Sequence, residues 1–498
     1  MVPSPLAAIS RHFNRHLTLS FLVIAISTLN YGFDQNGYTV IQAMDPFINQ
    51  FGEYDQATGN YILSPSWLSL FNSLNYIGYA FGVVFGSLVS NRWGRRWCMF
   101  SMSGHAVVCT IIAVTSKSKV QIMAARILNY IYVGMELAVI PVYQSEIVPS
   151  PVRGFAVGSY QFALVFGGFT MNCICRSTSA LATNAAWRIP FGIFSVVPTL
   201  VMSLIWLIPE SPRWLLTKGR VEEAREALYK LRSGAFSDEE IAEEFRALQF
   251  ALAIEPEQGK SHEIFQGANR KRTAIIVIMN FLQQATGQSF VSSYGAVFVK
   301  SIGSVNPFDM TIINSVVNVL MLGVNLCLND WAGRRPLLLI GALWQAAAIF
   351  TMGGLGTAAN QTMAIKKATV AMLPIFSGGF CFAWAPLTYV VTTEVTTASV
   401  ANVVTAFAVN FSLPYMLYAP AELGGRVGFI FGGVAVLSFV FTYFCVPECK
   451  GKMLEEIDIM FHDGVPVRKF QSTKVAKIGL ESGKNGDEIG LESANRNI

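Results

Sequence analysis

The chain has 498 residues, of which 52% are apolar and only 13% are charged, and its mean hydropathy is +0.45. A soluble protein of several domains needs far more polar surface than this, so the composition excludes that class and predicts a chain that faces lipid. The formal net charge of +5 gives no case for nucleic-acid binding.

Twelve apolar stretches have the roughly 20 residues that are needed to cross a bilayer. They lie near 17–38, 67–89, 97–116, 120–143, 154–177, 187–208, 272–299, 309–328, 336–357, 366–391, 401–421 and 425–446. We therefore predict an all-α membrane protein whose twelve transmembrane helices form two pseudo-symmetric six-helix halves. The seventh and eighth stretches are the most polar, so their amides are expected to face a cavity.

Charged segments divide the chain around these stretches. The predicted parts are a cytosolic N-terminus (1–16), an N-terminal six-helix half (17–208), a cytosolic helical linker (209–271), a C-terminal six-helix half (272–446) and a cytosolic tail (447–498). The tail is expected to be disordered from about 463 because its apolar content is low. The first apolar run is as long as a span and leads straight into the bundle, so no cleavable signal peptide is expected.

One hexapeptide pattern occurs twice, about half the chain length apart. Asn-Arg-Trp-Gly-Arg-Arg at 91–96 follows the second stretch, and Asp-Trp-Ala-Gly-Arg-Arg at 330–335 follows the eighth. Equivalent positions in two sets of six helices indicate a duplicated membrane half, and parallel halves of this kind are a transporter architecture. Glycine-rich stretches at 78–86 and 424–433 are expected to allow close helix contact.

Lysine and arginine are distributed unevenly between the two sides. If both termini lie inside, 27 of the 36 fall on the inner side and 8 on the outer side, with Arg126 inside a span. This asymmetry follows the positive-inside rule, so both termini are predicted to be cytosolic. The sequon at Asn360 falls in a predicted outer loop, where glycosylation and a bare asparagine too close to the membrane are both open.

Metal, redox and enzyme chemistry have no support in the sequence. The eight cysteines are scattered without zinc-like spacing, so no disulfide, metal or cofactor is expected. No nucleophile, base and acid set and no Gly-rich phosphate loop is visible, so we predict a carrier and not an enzyme.

Two signatures follow the ends of the two halves. Pro-Glu-Ser-Pro-Arg-Trp-Leu at 209–215 follows the sixth stretch, and Pro-Glu-Cys-Lys-Gly at 447–451 follows the twelfth. Both resemble signature sequences of the sugar porters of the major facilitator superfamily, and the resemblance extends over about 17–462, with a texture similar to the fungal members. It implies alternating access of a small, sugar-like substrate across the plasma membrane, with the lipid bilayer as its surroundings and no obligate protein partner.

The resemblance assigns the inner helix ends to a cytosolic gate. Guanidinium groups there can bind carboxylates and helix C-terminal carbonyls bidentately, and so latch the outward-open state. The gate residues are Arg92, Arg95, Arg96, Glu146, Arg153, Glu210, Arg213, Asp330, Arg334, Arg335, Glu394 and Glu448. In the second half Thr397 and Ala401 replace the family's usual Pro and Arg, so that latch is expected to be weaker. The alternative is that the arginines only anchor the helix ends.

Asp34 in the first stretch is the candidate for proton coupling. A lone carboxylate at membrane depth is costly, so it is expected to be protonated or paired, and Arg126 is the basic residue inside another span. In proton-coupled sugar porters the matching acid and arginine form a couple, which implies a symporter of H⁺. The alternative is an Asp–Arg pair that only fixes the helices. Glu136, a second intramembrane acid, is either a proton relay or a helix contact.

Amide side chains both donate and accept hydrogen bonds, as a hydroxyl-rich ligand requires. The substrate residues implied by the resemblance are Gln161, Gln283, Gln284, Ser289, Asn318, Tyr294, Trp384 and Tyr389. The alternatives are interhelical amide bonds and rings that face lipid or the core. Ser289, Ser293, Tyr130, Tyr132 and Tyr389 depart from the family's usual residues, so the pocket is altered and the sequence does not name the sugar.

Three functions are open at this stage. The first is uptake of a hexose or disaccharide with proton symport, and the second is facilitated diffusion or efflux of another polyhydroxylated compound or secondary metabolite. The third is a non-transporting sugar sensor. The short tail and the retained Gln283, Gln284 and Asp34 count against the sensor.

Overall fold

The computed structural model describes residues 12–56, 59–149, 152–254, 267–392, 396–418 and 421–448, together with 460, 465, 466, 468 and 470. Glu394, the end of the linker and most of the tail lie outside the described residues. The side chains of Arg153, Asp330 and Tyr389 lie outside them as well.

Six membrane-length helical rods form the first half. Spans 1 to 6 are Arg15–Ile41, Pro65–Trp93, Arg95–Val114, Lys119–Ile147, Arg153–Thr178 and Ala185–Leu207. Span 2 consists of Pro65–Ser73 and Asn75–Trp93, and span 6 of Ala185–Ile193, Val196–Leu204 and a 3₁₀ turn, Ile205–Leu207. Spans 1 and 2 are joined by a short helix, Asp45–Phe51, and by an antiparallel hairpin in which Glu53–Asp55 pairs with Asn60–Ile62.

Six further rods form the second half. Span 7 comprises Gly267–Ala285, a π-helical turn, Phe290–Tyr294, and Gly295–Ile302. Spans 8 and 9 are Pro307–Ala332 and Arg334–Gly356, and span 10 comprises Met363–Gly379, a π-helical turn, Phe380–Trp384, and Ala385–Thr392. Span 11 is Thr396–Leu417, and span 12 is Gly424–Cys445 with a 3₁₀ first turn, Gly424–Arg426, before Val427–Cys445. Two sets of six rods confirm the predicted fold class.

Nine of the described helices are long and apolar enough to cross a membrane, and spans 5, 7 and 11 are not among them. Span 7 is interrupted after Ala285, where Gly287 has a φ of +103°. Span 8, which was also expected to be polar, reaches the required hydropathy over Pro307–Asn325. Polar residues such as Gln283 and Gln284 weaken the apolar character of span 7, whereas the described part of span 11, Val403–Leu417, is apolar but shorter than a span.

The linker helices pack beneath the first half, at the end of the bundle that we call the linker side. They are Pro212–Thr217, Val221–Arg232 and Asp238–Ile254. Arg232 is buried, donates from Nη1 to the Ile147 carbonyl oxygen at 2.8 Å, and bonds to Glu244 from Nε and Nη2 at 2.9 Å each. The Asn14 amide donates to the Ser233 carbonyl oxygen at 2.9 Å. These bonds fix the linker to spans 1 and 4, and we call the opposite end of the bundle the far side.

Glycine lets spans 2 and 4 approach each other closely. A Cβ atom on Gly82 would lie 2.2 Å from the Ile131 carbonyl oxygen, and one on Gly134 would lie 2.2 Å from the Tyr79 carbonyl oxygen. Real Cβ atoms do not come so close to backbone, so the two helices have contact only because both positions lack a side chain. The close contact predicted for 78–86 is confirmed here.

Replacing Gly82 by Ala is expected to push spans 2 and 4 apart and to lower stability by about 1 to 3 kcal/mol, the usual cost of overpacking. Gly433→Ala is the matched control, because a Cβ there meets nothing within 4 Å. Melting of the two purified variants in detergent, followed by tryptophan fluorescence, checks the prediction. Equal melting temperatures for the two variants would contradict it.

Candidate functional site

A cavity of about 210 Å³ lies in the centre of the bundle, between the two halves. Spans 1, 2, 4 and 5 line it from the first half, and spans 7, 8, 10 and 11 from the second. Five of the residues singled out from the sequence reach its surface: Gln161, Gln283, Gln284, Ser289 and Asn318. The structure therefore brings together polar side chains that are up to 157 residues apart in the chain.

Protein contacts orient the amides around the cavity. Gln283 Nε2 donates to the Trp384 carbonyl oxygen at 3.4 Å, and Ser289 Oγ donates to Gln284 Oε1 at 3.4 Å. Ser377 Oγ donates to Asn318 Oδ1 at 2.8 Å, from span 10 to span 8. A primary amide has two donor hydrogens and an oxygen with two lone pairs, so it can bond to protein and to a ligand at the same time.

Two aromatic rings expected at the substrate are not part of the cavity lining. Tyr294 is fully buried, and its hydroxyl donates to the Asn410 carbonyl oxygen at 2.8 Å and to the Leu68 carbonyl oxygen at 3.3 Å. Trp384 is also fully buried, and its indole N–H donates to the Leu338 carbonyl oxygen at 3.2 Å. The polar atoms of both rings are held by backbone, and in this conformation Tyr294 joins the halves instead of facing a ligand.

The first half contributes lining residues that sequence reasoning did not assign to the site. Besides Tyr130, which was noted only as a departure from the family, they include Tyr31, Gln35, Asn36, Thr39, Tyr76, Tyr79 and Asn172. The available signal was polarity inside an apolar span, since Gln35, Asn36 and Thr39 fall on one face of span 1. Tyrosine is common in cores, so no comparable signal marked the phenols.

The described residues that line the cavity include no acidic or basic side chain. A charged ligand at membrane depth would lack a counter-charge and would be costly to hold there. Amides and hydroxyls instead offer both donors and acceptors to a ligand that carries both. The lining is therefore suited to a neutral, hydroxyl-rich molecule.

Asp34 and Arg126 lie in the same buried region without direct contact. Asp34 is 1% exposed, and neither of its carboxyl oxygens has a hydrogen-bond partner. Arg126 donates from Nη1 to Asn72 Oδ1 at 2.9 Å, and its guanidinium lies 4.4 Å from the Phe71 ring and 5.1 Å from the Tyr38 ring. Tyr38 is one helical turn beyond Asp34, so the Arg126 guanidinium lies within about one side-chain length of the Asp34 carboxyl. The expected ion pair between the two residues is not formed in this conformation.

On the linker side, Arg95 and Glu146 form a partly buried, bidentate ion pair. Arg95 Nε donates to Glu146 Oε2 at 3.0 Å and Nη2 to Oε1 at 2.9 Å, as arginine and carboxylate geometry favours. Both residues belong to the first half, so the pair does not bridge the halves and forms in a conformation that is joined on the far side. That such pairs latch an outward-open state stays a prediction.

Glu210 and Glu448 play equivalent parts in the two halves. Glu210 accepts hydrogen bonds from the backbone N–H groups of Arg95 at 3.0 Å and Arg96 at 3.1 Å, and Glu448 accepts them from Arg334 at 3.1 Å and Arg335 at 3.0 Å. Each glutamate caps the first turn of the helix that follows a Gly-Arg-Arg start, where N–H groups lack helical partners. The sequence predicted pairing with arginine side chains and did not predict these hydrogen bonds to backbone N–H groups.

Burial and hydrogen bonding shift the pKa of the Glu210 carboxyl in opposite directions. Burial raises the pKa of the Glu210 carboxyl, whereas the N–H groups of Ser211, Arg96 and Arg95 lower it by binding the ionised form. Arg96 reaches back with Nη2 to the Trp206 carbonyl oxygen at 3.0 Å, and Arg335 does the same to Tyr443 at 2.6 Å.

The remaining predicted sites are more exposed or lie outside the description. Arg92 and Arg213 are exposed on the linker side, and Asn360 is exposed in a loop of the far side. No side-chain contact is described for Arg153, Asp330 or Glu394.

Polar contacts join the halves on the far side. Lys300 Nζ lies 2.6 Å from Asp45 Oδ1 and donates to the Ala43 carbonyl oxygen at 2.7 Å. Arg176 forms an ion pair with Asp309, from span 5 to span 8. The neighbouring Asn172 amide donates to Ser315 Oγ at 2.6 Å. These contacts hold the far ends of the halves together in this conformation.

Comparison with known proteins places this architecture in a family. The profile of a family described as "Sugar (and other) transporter" matches residues 20–461. The major facilitator-type transporter ecdD of Aspergillus rugulosus is 29% identical over 500 residues, which cover 95% of this chain and 92% of its own. A low-affinity glucose transporter of Kluyveromyces lactis is 29% identical over 476 residues, which cover 90% of this chain and 83% of its own.

Solved structures of the xylose transporter XylE from E. coli share the fold. A partially occluded inward open form superposes with a TM-score of 0.73 at 22% identity, over 89% of this chain and 100% of that chain. A form described as the proton:xylose symporter with bound 6-bromo-6-deoxy-D-glucose gives a TM-score of 0.72 at 23% identity, over 90% and 99%. Because the family profile spans nearly the whole chain, this protein belongs to the sugar transporter family of the major facilitator superfamily, and it is a multi-pass membrane transporter and not an enzyme.

Proposed function

We propose that the protein is a secondary carrier that moves a neutral sugar, a hexose or disaccharide, by alternating access with symport of H⁺. The observation that carries the proposal is the uncharged cavity between the halves, which is lined by oriented amides and hydroxyls. A sugar offers a hydroxyl on nearly every carbon, and each hydroxyl both donates and accepts. Family membership and the glucose transporter among the relatives agree with this substrate class.

Proton coupling is proposed from Asp34. Burial of a carboxyl without a hydrogen bond favours the neutral acid, so we infer that Asp34 carries a proton in this conformation. When it ionises, Arg126 is the cation that balances it, and pairing draws spans 1 and 4 together. The shared fold with a protein described as a proton:xylose symporter supports the same coupling here.

The linker side is proposed to face the cytosol, with both termini inside and the plasma membrane as the site of residence. The excess of lysine and arginine on the linker side supports this orientation. Asn360 then faces the outside. The far-side contacts between halves make the described conformation the one that is closed to the outside, with Gln161 and Asn318 reached from the cytosol after further opening.

A second candidate is facilitated movement or efflux of a larger neutral compound that carries both hydroxyls and a ring. Four tyrosines, Tyr31, Tyr76, Tyr79 and Tyr130, line the cavity from the first half. Phenol rings give apolar area together with a polar end, which suits such a ligand as well as a sugar. The relative from Aspergillus rugulosus, a major facilitator-type transporter whose name specifies no sugar, is compatible with this alternative.

Uptake of labelled glucose, xylose and maltose in cells without their own sugar carriers tests the proposal. Symport through Asp34 predicts uptake that collapses on addition of a protonophore, and Asp34→Asn is expected to lose net uptake about tenfold or more, because an amide cannot release a proton. Uptake that survives both treatments would show a facilitator. Glu422→Gln, which removes an exposed carboxyl at the far side, is the control and should leave uptake unchanged.

The amide lining predicts a specific loss of affinity. Gln284→Leu removes both hydrogen-bonding functions from the cavity while conserving size. Each lost bond is worth about 1 kcal/mol, so the half-saturation concentration should rise roughly fivefold for each bond to the substrate that is lost. Gln345→Leu is matched in chemistry, but Gln345 is buried away from the cavity and bonds to the Gly341 carbonyl oxygen. Equal concentration dependence for the two variants would remove Gln284 from the binding site.

Alternating access predicts that the far ends of the halves must separate once per cycle. In a variant with Arg176→Cys and Asp309→Cys, a short bifunctional thiol reagent should abolish uptake, because it ties span 5 to span 8. Lys119→Cys with Glu53→Cys is the control, since that ion pair lies within the first half and its N–O distance is 2.6 Å. Full uptake after verified cross-linking of the first pair would exclude rocking of the halves.

A further inference from the structure

Polar side chains of spans 1 and 4 face each other, and the proposed transport cycle gives a role to only some of them. Ser27, Asn30 and Asp34 recur every three or four residues, so they lie on one face of span 1, and their exposed fractions are 1%, 3% and 1%. On span 4, Tyr132 and Glu136 lie one turn apart and are 1% and 0% exposed. We call these five residues the buried polar stripe.

Most polar atoms of the buried polar stripe have no partner. The Tyr132 hydroxyl donates to the Ser27 carbonyl oxygen at 3.3 Å and so joins the two spans. Both carboxyl oxygens of Asp34, both of Glu136, Ser27 Oγ and Asn30 Oδ1 are buried without a hydrogen bond. Native proteins leave only a few such atoms per 100 residues, and six of them lie together in this stripe. Two buried acids among these atoms call for an explanation, and a functional role is one that such groups have in native proteins.

Glu136 lies on the linker side of Asp34. It follows Arg126 by ten residues on a helix that runs from the far side to the linker side, a distance of about 15 Å along the axis. Span 1 runs in the opposite direction, so Asn30 and Ser27 also lie on the linker side of Asp34. The buried polar stripe therefore leads from Asp34 towards the linker side and has Glu136 as its second acid.

The surroundings of Glu136 contain no balancing charge in the described part of the chain. The titratable groups that act on it are Tyr132 on its own span and Asp34 on span 1. Spans 2, 3 and 5 and the linker helix Pro212–Thr217 also pack against span 4, but none of their described side chains forms an ion pair with Glu136. An isolated carboxylate does not persist in such a place, so Glu136 carries a proton in this conformation.

We propose that Glu136 is a second intramembrane proton-binding site, through which the proton held by Asp34 leaves towards the linker side. The inference rests on the proposed proton symport. Glu136 first releases its own proton to water on the linker side and becomes a carboxylate. The Asp34 acid then transfers its proton, by way of the Tyr132 hydroxyl and water, to that carboxylate. Glu136 is again neutral, one proton has left the protein, and the new Asp34 carboxylate is balanced by Arg126.

The test separates net, proton-driven transport from exchange. Glu136→Gln keeps the size and hydrogen-bonding groups of the neutral acid but carries no transferable proton. Exchange of labelled for unlabelled sugar across vesicles at equal pH needs no net proton release, so it should stay within about twofold of wild type. Net uptake driven by a pH gradient, and the alkalinisation that accompanies it, should both fall about tenfold or more.

Two further variants keep the test decisive if Glu136→Gln does not accumulate. Glu136→Asp retains an ionisable group and should recover part of the net uptake. Tyr132→Phe removes the hydroxyl between the two acids, conserves the ring and should slow net uptake while sparing exchange. Gln345→Leu, which removes a buried amide outside the stripe and the cavity, controls for loss of a polar group inside a span.

Three results would overturn the inference. Wild-type net uptake in Glu136→Gln would make the residue a helix contact without a part in coupling. Loss of exchange together with uptake, in protein that is correctly folded, would assign Glu136 to the movement of the halves instead. If the wild-type protein moves sugar without alkalinisation, both the proposed symport and this inference are refuted. If sugar uptake is accompanied by alkalinisation in the wild type and equally in Glu136→Gln, only this inference is refuted.

Discussion

The hydrocarbon core of a membrane offers no hydrogen-bond partner, and this constraint governs where every polar group of the chain lies. Backbone groups are satisfied within helices. Amides and hydroxyls of the spans turn towards the central cavity, where Gln161, Gln284 and Asn318 meet although the sequence separates them widely. The Arg126 guanidinium, which is deeply buried, lies over the Phe71 ring and beside the Asn72 amide. The cavity thus holds polar side chains that would be costly to expose to lipid.

The two pseudo-symmetric halves share one local structure at the linker-side starts of spans 3 and 9. Gly94 and Gly333 have φ values of +98° and +88°, a region that favours glycine. The lack of a side chain also admits a carboxylate, because a Cβ there would lie 2.5 Å from Glu210 Oε2 and 2.8 Å from Glu448 Oε2. In each half of the protein, the hexapeptide therefore supplies the start of a helix, and the Pro-Glu signature supplies the carboxylate that caps it.

Much of this was predictable because it follows from periodicity and duplication. Span lengths and the doubled hexapeptide predict two sets of six rods, and amides inside apolar stretches predict a polar cavity that contains Gln283 and Asn318. Partner choice was less predictable. Every residue type except proline has a backbone N–H group, so the sequence does not show which N–H groups a carboxylate binds. For this reason Glu210 was predicted to pair with arginine side chains. The contacts of Tyr294 and Trp384 were unpredictable for a related reason, since sequence gives their span but not the backbone atoms that hold their polar ends.

The ion pairs at the two ends of the bundle differ in their contact with solvent. The side chains of Arg95 and Glu146 are 10% and 8% exposed, whereas those of Lys300 and Asp45 are 33% and 84% exposed. Dissolved salt weakens ion pairs between exposed side chains, and it screens buried pairs much less. Salt therefore weakens the Lys300–Asp45 pair, which joins the halves on the far side, more than the Arg95–Glu146 pair on the linker side. The ionic strength of the surroundings thus acts on one end of the bundle and spares the other.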